Sequence, residues 1–254
     1  MATDKADRRD LKKYNTYTYI RMDLQSLLEV DRNLLHFFNG SNNMFLDSVV
    51  STLTSGITWI PLYLALLCLI IKNNETMSQI MLIIGCSALC ILLADGVADG
   101  LAKPYFARLR PTNDPFIKYS IDVVHNYRGD DFGFFSAHAA NTMSIAVFFC
   151  LLIRNRLLSF TLVLWSLINS WTRLYLGVHY PSDIICGLFW GCVSGFLSYI
   201  AYHYIYRKIS TNANYISTQY TATGYDINEV NVVLTVLAFT LVYVVLNALL
   251  SLAY

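Results

Sequence analysis

Long apolar blocks separated by short polar breaks occupy most of this 254-residue chain. A helix needs about 20 mostly apolar residues to cross a bilayer. Six blocks predict spans: about Leu46–Ile71, Gln79–Ala102, His138–Ile153, Leu157–Leu176, Pro181–Tyr206 and Asn228–Ala253. Pro61 lies inside the first and predicts a bend there. Residues 22–38 follow another pattern. Leu24, Leu27, Leu28, Leu34, Leu35 and Phe38 recur at helical spacing, with Asp23, Glu29, Asp31 and Arg32 between them. That stretch is too charged to span. It reads as an amphipathic helix lying in the membrane interface, or as a helix packed against the bundle. Residues 1–20 are polar and lack the short apolar core of a cleavable signal peptide. The expected fold class is therefore all-α: an integral membrane six-helix bundle with an N-terminal interfacial amphipathic helix. The expected division is residues 1–43, tail and interfacial helix, and residues 44–254, the transmembrane unit.

Composition supports this. The chain is 56% hydrophobic and 14% charged, where soluble proteins average about 25% charged, and its mean hydropathy is +0.45. A net charge of +1 without a basic, aromatic-interleaved stripe gives no reason to expect nucleic acid as a partner. The six cysteines all fall in apolar stretches without metal-ligand spacing, as buried small hydrophobes do.

Against that background the ionisable residues stand out, because charge at membrane depth or at a helix end is costly. With six spans, three charged fragments meet on one side of the membrane. Lys103, at the end of the second span, has Asp99 one turn before it as an ion-pair partner; Asp95, one turn earlier, reads as a plain helix-end salt bridge. Pro104 and Pro111 bracket a predicted non-helical turn. Arg110 offers a planar fork suited to phosphate oxygens, and Arg108 is either a second such group or a headgroup contact. Ser136-Ala137-His138 stands at the start of the third span, where free N–H groups make an anion site. Ser136 can cap that helix or bind phosphate, and His138 can act as a general acid. Arg173, His179 and Asp183 complete the set: Asp183, in the first turn of the fifth helix, can hold one ring nitrogen of His179 and leave the other free to attack. Singly, each fragment has a bland explanation as a salt bridge, a cap or a closed loop. Jointly they form a phosphoryl-transfer set. None of these residues requires a metal, and Asp114, Asp122, Asp130 and Asp131 in the 112–135 loop have no ligand spacing and read as solvated.

Lys103-x6-Arg110-Pro111, then Phe135-Ser136-Ala137-His138, then Thr172-Arg173-x5-His179-x3-Asp183 resemble the three-part signature of the type-2 phosphatidic acid phosphatase superfamily, over about residues 95–200. The resemblance implies a lipid phosphatase of the membrane without a cofactor. His179 would attack phosphorus and form a phosphohistidine, Asp183 would orient it, and His138 would protonate the leaving oxygen. Lys103, Arg110, Ser136, Ala137 and Arg173 would hold the phosphate, with Asp99 behind Lys103. Two positions depart from the pattern: Phe135 and Ala137 stand where the family has proline and glycine, although Ala137 keeps its N–H. The resemblance favours undecaprenyl diphosphate or lipid A as substrate over phosphatidylglycerol phosphate or phosphatidic acid, in a bacterial inner membrane with the site facing the periplasm. The aromatic residues Phe116, Tyr119, Tyr127, Phe132, Phe134 and Phe135 suggest that the loop lines lipid entry. Short connections on the opposite face carry Lys72, Arg154, Arg156, Arg207 and Lys208, as a cytoplasmic face does. Rival readings are a transporter and an inactive lipid-phosphate-binding member. The number of copies is left open.

Overall fold

The computed structural model describes residues 25–41, 43–209 and 219–252. Among them the chain is helical and has no strand, only two isolated bridges. The elements are α1 (residues 25–38), α2 (Met44–Thr54), α3 (Ile60–Asn73), α4 (Met77–Val97), α5 (Lys103–Phe106), α6 (Ala137–Ile153), α7 (Arg156–Tyr175), α8 (Pro181–Ile209) and α9 (Ile227–Ser251). Four stretches are long and apolar enough to cross a membrane: Gly56–Asn73, Met77–Phe106, Pro181–Ile209 and Ile227–Ser251. The protein is an integral membrane helical protein. The tail, the start of the 22–38 stretch and Ala253 lie outside the described residues.

The first predicted span is not one helix. α2 ends at Thr54, Ser55 is extended, and a 3-10 turn over Gly56–Trp59 leads into α3. The break precedes Pro61, which sits harmlessly in the first turn of α3. Interrupted helices persist at membrane depth when side chains satisfy the freed carbonyls. Here Thr58 Oγ1 donates to the Thr52 carbonyl (2.6 Å) and Trp59 Nε1 to that of Leu53 (2.8 Å).

α4 also departs from a plain helix. A π-helical segment, Ala98–Ala102, joins it to α5. Pro104 lies inside α5 rather than opening a turn, and the chain leaves the helix only at Ala107, which is left-handed (φ 45°). The wider turn changes which residues share a face. Lys103 still pairs with Asp99 (2.5 Å), but Asp95 makes no salt bridge and accepts a hydrogen bond from Asn141 Nδ2 (2.7 Å) on α6.

α6 and α8 run side by side with both N-termini at one end. Gly187, Gly191 and Gly195 form a stripe on α8 facing the carbonyls of Ser136, Ala140 and Ser144; a β-carbon at any of them would lie within 2.5–2.6 Å of an oxygen. Without a hydrophobic drive between helices in lipid, such close backbone approach is how they adhere. It also fixes the starts of the two helices together, and Ser136 N donates to the Asp183 carbonyl (3.1 Å). The main apolar core fills the rest of the bundle around Phe148, Leu62, Leu69, Ile83 and Leu162. All six cysteines are free; Cys86 and Cys90 are buried, whereas Cys68 and Cys192 are exposed.

α1 docks across the end where α6 and α8 begin. Its Leu35 is fully buried with Ile117, Ile121 and Tyr180, and Phe38 packs near Ala139, Leu174 and Ile184. Leu27, Val30, Leu34 and Phe37 recur along the outer side and remain exposed.

Candidate active site

α7 ends in a turn through Gly177, whose φ of 66° suits a residue without a β-carbon. Gly177 N donates to the Leu174 carbonyl and Val178 N to that of Arg173. This turn delivers His179 from the end of α7 to the start of α8, where it is 2% exposed. On one side of the ring, Asp183 Oδ2 lies 3.6 Å from Nδ1, a contact too long for a hydrogen bond. On the other, Arg110 Nη1 lies 3.3 Å from Nε2. Arginine can only donate. A neutral His179 that accepts from Arg110 therefore carries its lone pair on Nε2 and its proton on Nδ1, facing the carboxylate. This is the tautomer a nucleophile needs. Burial, against the pull of Asp183, drives the His179 pKa down to about 4, so the ring is neutral at physiological pH.

Arg110 is buried and also donates to the carbonyls of Phe132 (3.1 Å) and Val178 (3.3 Å). Burial and the neighbouring charge of Arg173 lower its pKa. Gly129 packs against its guanidinium. Arg173 Nη1 donates to Thr54 Oγ1 (2.8 Å) and Tyr127 Oη (2.9 Å), while its Nε is buried without a partner. Ser136 is fully buried at the N-cap of α6; its Oγ accepts from Ala139 N (3.4 Å), and Ala137 is the first helical residue. Two residues after the cap, the buried Nε2 of His138 has no hydrogen-bond partner, and His138 is within electrostatic reach of Arg173 and His179. Lys103 is mostly buried beside the exposed Asp99. The residues read from sequence thus gather at one end of the bundle: His179, Asp183, Arg110 and Ser136 in direct contact, with His138 and Arg173 close by. Among the described residues no three His, Cys, Asp or Glu side chains group as a metal site would.

Several expectations change. Arg108 is neither a phosphate fork nor a headgroup contact: it bridges Asp183 (2.7 Å) and Asp31 (2.5 Å) and stacks on the Tyr180 ring at 4.0 Å. Burial opposes its charge, but the two carboxylates outweigh this and raise its pKa. Asp183 is accordingly shared, with Oδ1 on Arg108 and Oδ2 accepting from Tyr180 N (3.0 Å). Asp114 is not solvated; it accepts from Tyr180 Oη (2.7 Å) and pairs with Arg32 of α1 (3.4 Å). Tyr127 accepts a hydrogen bond from Arg173 and so anchors it. Phe134 and Phe135 do border an apolar hollow of about 370 Å³, together with Leu101, Tyr105 and Phe106. Sequence reasoning missed Asp31, Ser182, Thr54 and Tyr127. Only Asp31 carried a signal, as an acid at the boundary of an apolar stripe.

The model of the PAP2 superfamily matches residues 84–207, the stretch that holds all three fragments. The chain is similar to a lipid A 4'-phosphatase of Bacteroides thetaiotaomicron, at 36% identity over 74% of this chain and 84% of that protein. It is also similar to a lipid A 4'-phosphatase of Porphyromonas gingivalis, at 34% identity over 71% and 76%. In fold it resembles the crystal structure of a PAP2-type phosphatidylglycerolphosphate phosphatase from Bacillus subtilis, with a TM-score of 0.54 at 17% identity, covering 74% of this chain and 90% of that one. The chain belongs to the PAP2 superfamily.

Proposed function

We propose that the protein hydrolyses a phosphate ester on a membrane lipid, lipid A before undecaprenyl diphosphate, through a phosphohistidine on His179. The observation that carries this reading is the environment of His179: a buried neutral ring with its nucleophilic Nε2 toward Arg110 and its Nδ1 toward Asp183. The preference for lipid A rests on the two relatives of that name.

An arriving phosphate dianion offers Arg110 a stronger acceptor than imidazole, and Nε2 is released. Lys103, Arg173, Ser136 and the N–H groups opening α6, that of Ala137 among them, hold the non-bridging oxygens. The Nε2 lone pair attacks phosphorus, the bond from phosphorus to the lipid oxygen breaks, and His138, in its imidazolium form beside the bound phosphate dianion, gives its proton to that oxygen. His138 then takes a proton from water, which attacks the phosphohistidine. The P–N bond breaks and inorganic phosphate leaves. The residues need no metal for these steps.

In this reading α2 with α3, α4 with α5, α6, α7, α8 and α9 form six spans, and residues 1–43 are a surface segment preceding a transmembrane unit at 44–254. α1 rests in the interface with Leu27, Val30, Leu34 and Phe37 toward lipid. The site opens outward, to the periplasm of a bacterial inner membrane, since Lys72, Arg154, Arg156, Arg207 and Lys208 crowd the other end.

The test is phosphate release by the purified protein in detergent, with excess chelator, from lipid A, undecaprenyl diphosphate, phosphatidylglycerol phosphate and phosphatidic acid. The expected result is chelator-insensitive release, fastest from lipid A. Silence of folded protein across the panel overturns the reading, and release only from another lipid overturns the substrate choice.

A further inference from the structure

Asp31 lies on α1, outside the three fragments, and is 8% exposed. A carboxylate so placed needs partners, and it has three bonds across the site. Its Oδ1 accepts from Ser182 N (2.9 Å) and its Oδ2 from Ser182 Oγ (2.6 Å) and Arg108 Nη2 (2.5 Å). Ser182 is the residue immediately before Asp183. Asp31 therefore satisfies a free N–H in the first turn of α8, a role that an N-cap side chain would otherwise fill. Arg108 reaches in the other direction, from Nη1 to Ser182 Oγ (2.6 Å) and Asp183 Oδ1 (2.7 Å). The sequence of contacts is Asp31, Arg108, Asp183, His179.

We propose that Asp31 is a positioning residue for the nucleophile, acting through Arg108 and Ser182 on the carboxylate of Asp183; this rests on His179 being the nucleophile. Arg108 divides its charge between two carboxylates. With Asp31 neutralised, the guanidinium faces Asp183 alone and pulls that carboxylate away from the imidazole it must orient. The phosphate-holding side chains make no contact with Asp31, so the effect falls on the chemical step.

The experiment measures kcat and KM on the lipid panel for wild type, Asp31→Asn, Asp31→Glu, Asp183→Asn and the Asp31→Asn/Asp183→Asn double variant, with thermal unfolding of each in detergent. Asp31→Asn is expected to lower kcat about tenfold and leave KM within about twofold, with partial recovery in Asp31→Glu. In the Asp183→Asn background it should add nothing, because the group through which Asp31 acts is already lost. Full kcat in Asp31→Asn, a loss that multiplies with that of Asp183→Asn, or a loss that merely follows the unfolded fraction would each overturn the proposal. Those results leave the phosphatase reading intact, whereas a silent wild type sinks both.

Discussion

The two ends of the bundle are made by the same helices, yet their polar groups are satisfied in different ways. At the end away from the site, helix ends are capped locally. Thr76 and Gln79 form a reciprocal cap on α4, Asn155 caps α7 with its side chain on Leu158 N, and Arg154 closes α6 in a left-handed turn. Lys72 and Glu229 add an exposed pair, and Asn73 Oδ1 accepts from Asp226 N (2.7 Å). At the site end, partners lie up to 151 residues apart, as Arg173–Tyr127, Arg108–Asp183 and Asp31–Ser182 show. Buried polar atoms on His138, His179 and Arg173 have no hydrogen bond and cluster together, whereas Tyr225 Oη is so left at the other end. Local caps secure helix ends one at a time. A network spanning α1, the 107–135 loop, α7 and α8 can hold charges in fixed mutual positions, and open valences there mark where a ligand would complete the set.

That contrast can be broken hardest at the nucleophile. His179→Ala should reduce phosphate release to background, a loss of about 10³-fold or more, while the helical circular dichroism of the detergent-solubilised protein is retained. Next is His138→Ala, with a kcat loss of about 10²–10⁴-fold on a lipid substrate. The loss should shrink on an aryl phosphate whose leaving group needs no proton; an equal loss on both would remove His138 from the role of acid.

A pH series sharpens the same point. Protonation of His179 removes the attacking lone pair, so the acid limb of kcat/KM should fall only as pH drops through about 4, while loss of the His138 proton sets the alkaline limb. Because that value lies below the ordinary 6.5, the neutral ring favours the folded state fully above pH 6.5, and this contribution is lost as pH falls toward 4. Thermal melts across that window should record the decline, and His179→Asn should lessen it.

Smaller effects follow at the anchors of Arg173. Thr54→Val or Tyr127→Phe should raise KM by about tenfold and change kcat less, measured on the preferred lipid. Smallest of all, Glu229→Gln at the far end should leave both kcat and the melting temperature unchanged within error, since the pair it breaks is solvent-exposed.

Much of this architecture was legible because its signals are local. Apolar runs marked the helices, and the cations between and within them marked the candidate site. What stayed hidden depended on distant partners or on backbone that the side chains do not announce. Pro61 pointed to a bend, but the helix parts earlier, at Ser55, where Thr58 and Trp59 reach back to the exposed carbonyls. Arg108 looked like another phosphate ligand because nothing near it in sequence shows that Asp31 and Asp183 wait on either side. Thr54 resembled any threonine of a membrane helix, and Tyr127 any loop aromatic.

The wide turn at Ala98–Ala102 has a consequence for insertions and deletions. Such a turn holds about one residue more than the α-helical path needs. Deleting Gly100 would let the segment rewind as uninterrupted α-helix, with Lys103 and everything beyond it near their present bearing. The same deletion inside α4 would swing everything beyond it about 100° around the axis and draw it back about 1.5 Å. The surplus residue works as slack, which makes this turn the place where the helix tolerates a change of length. A relative lacking it could bring its cation to the phosphate on an unbroken helix.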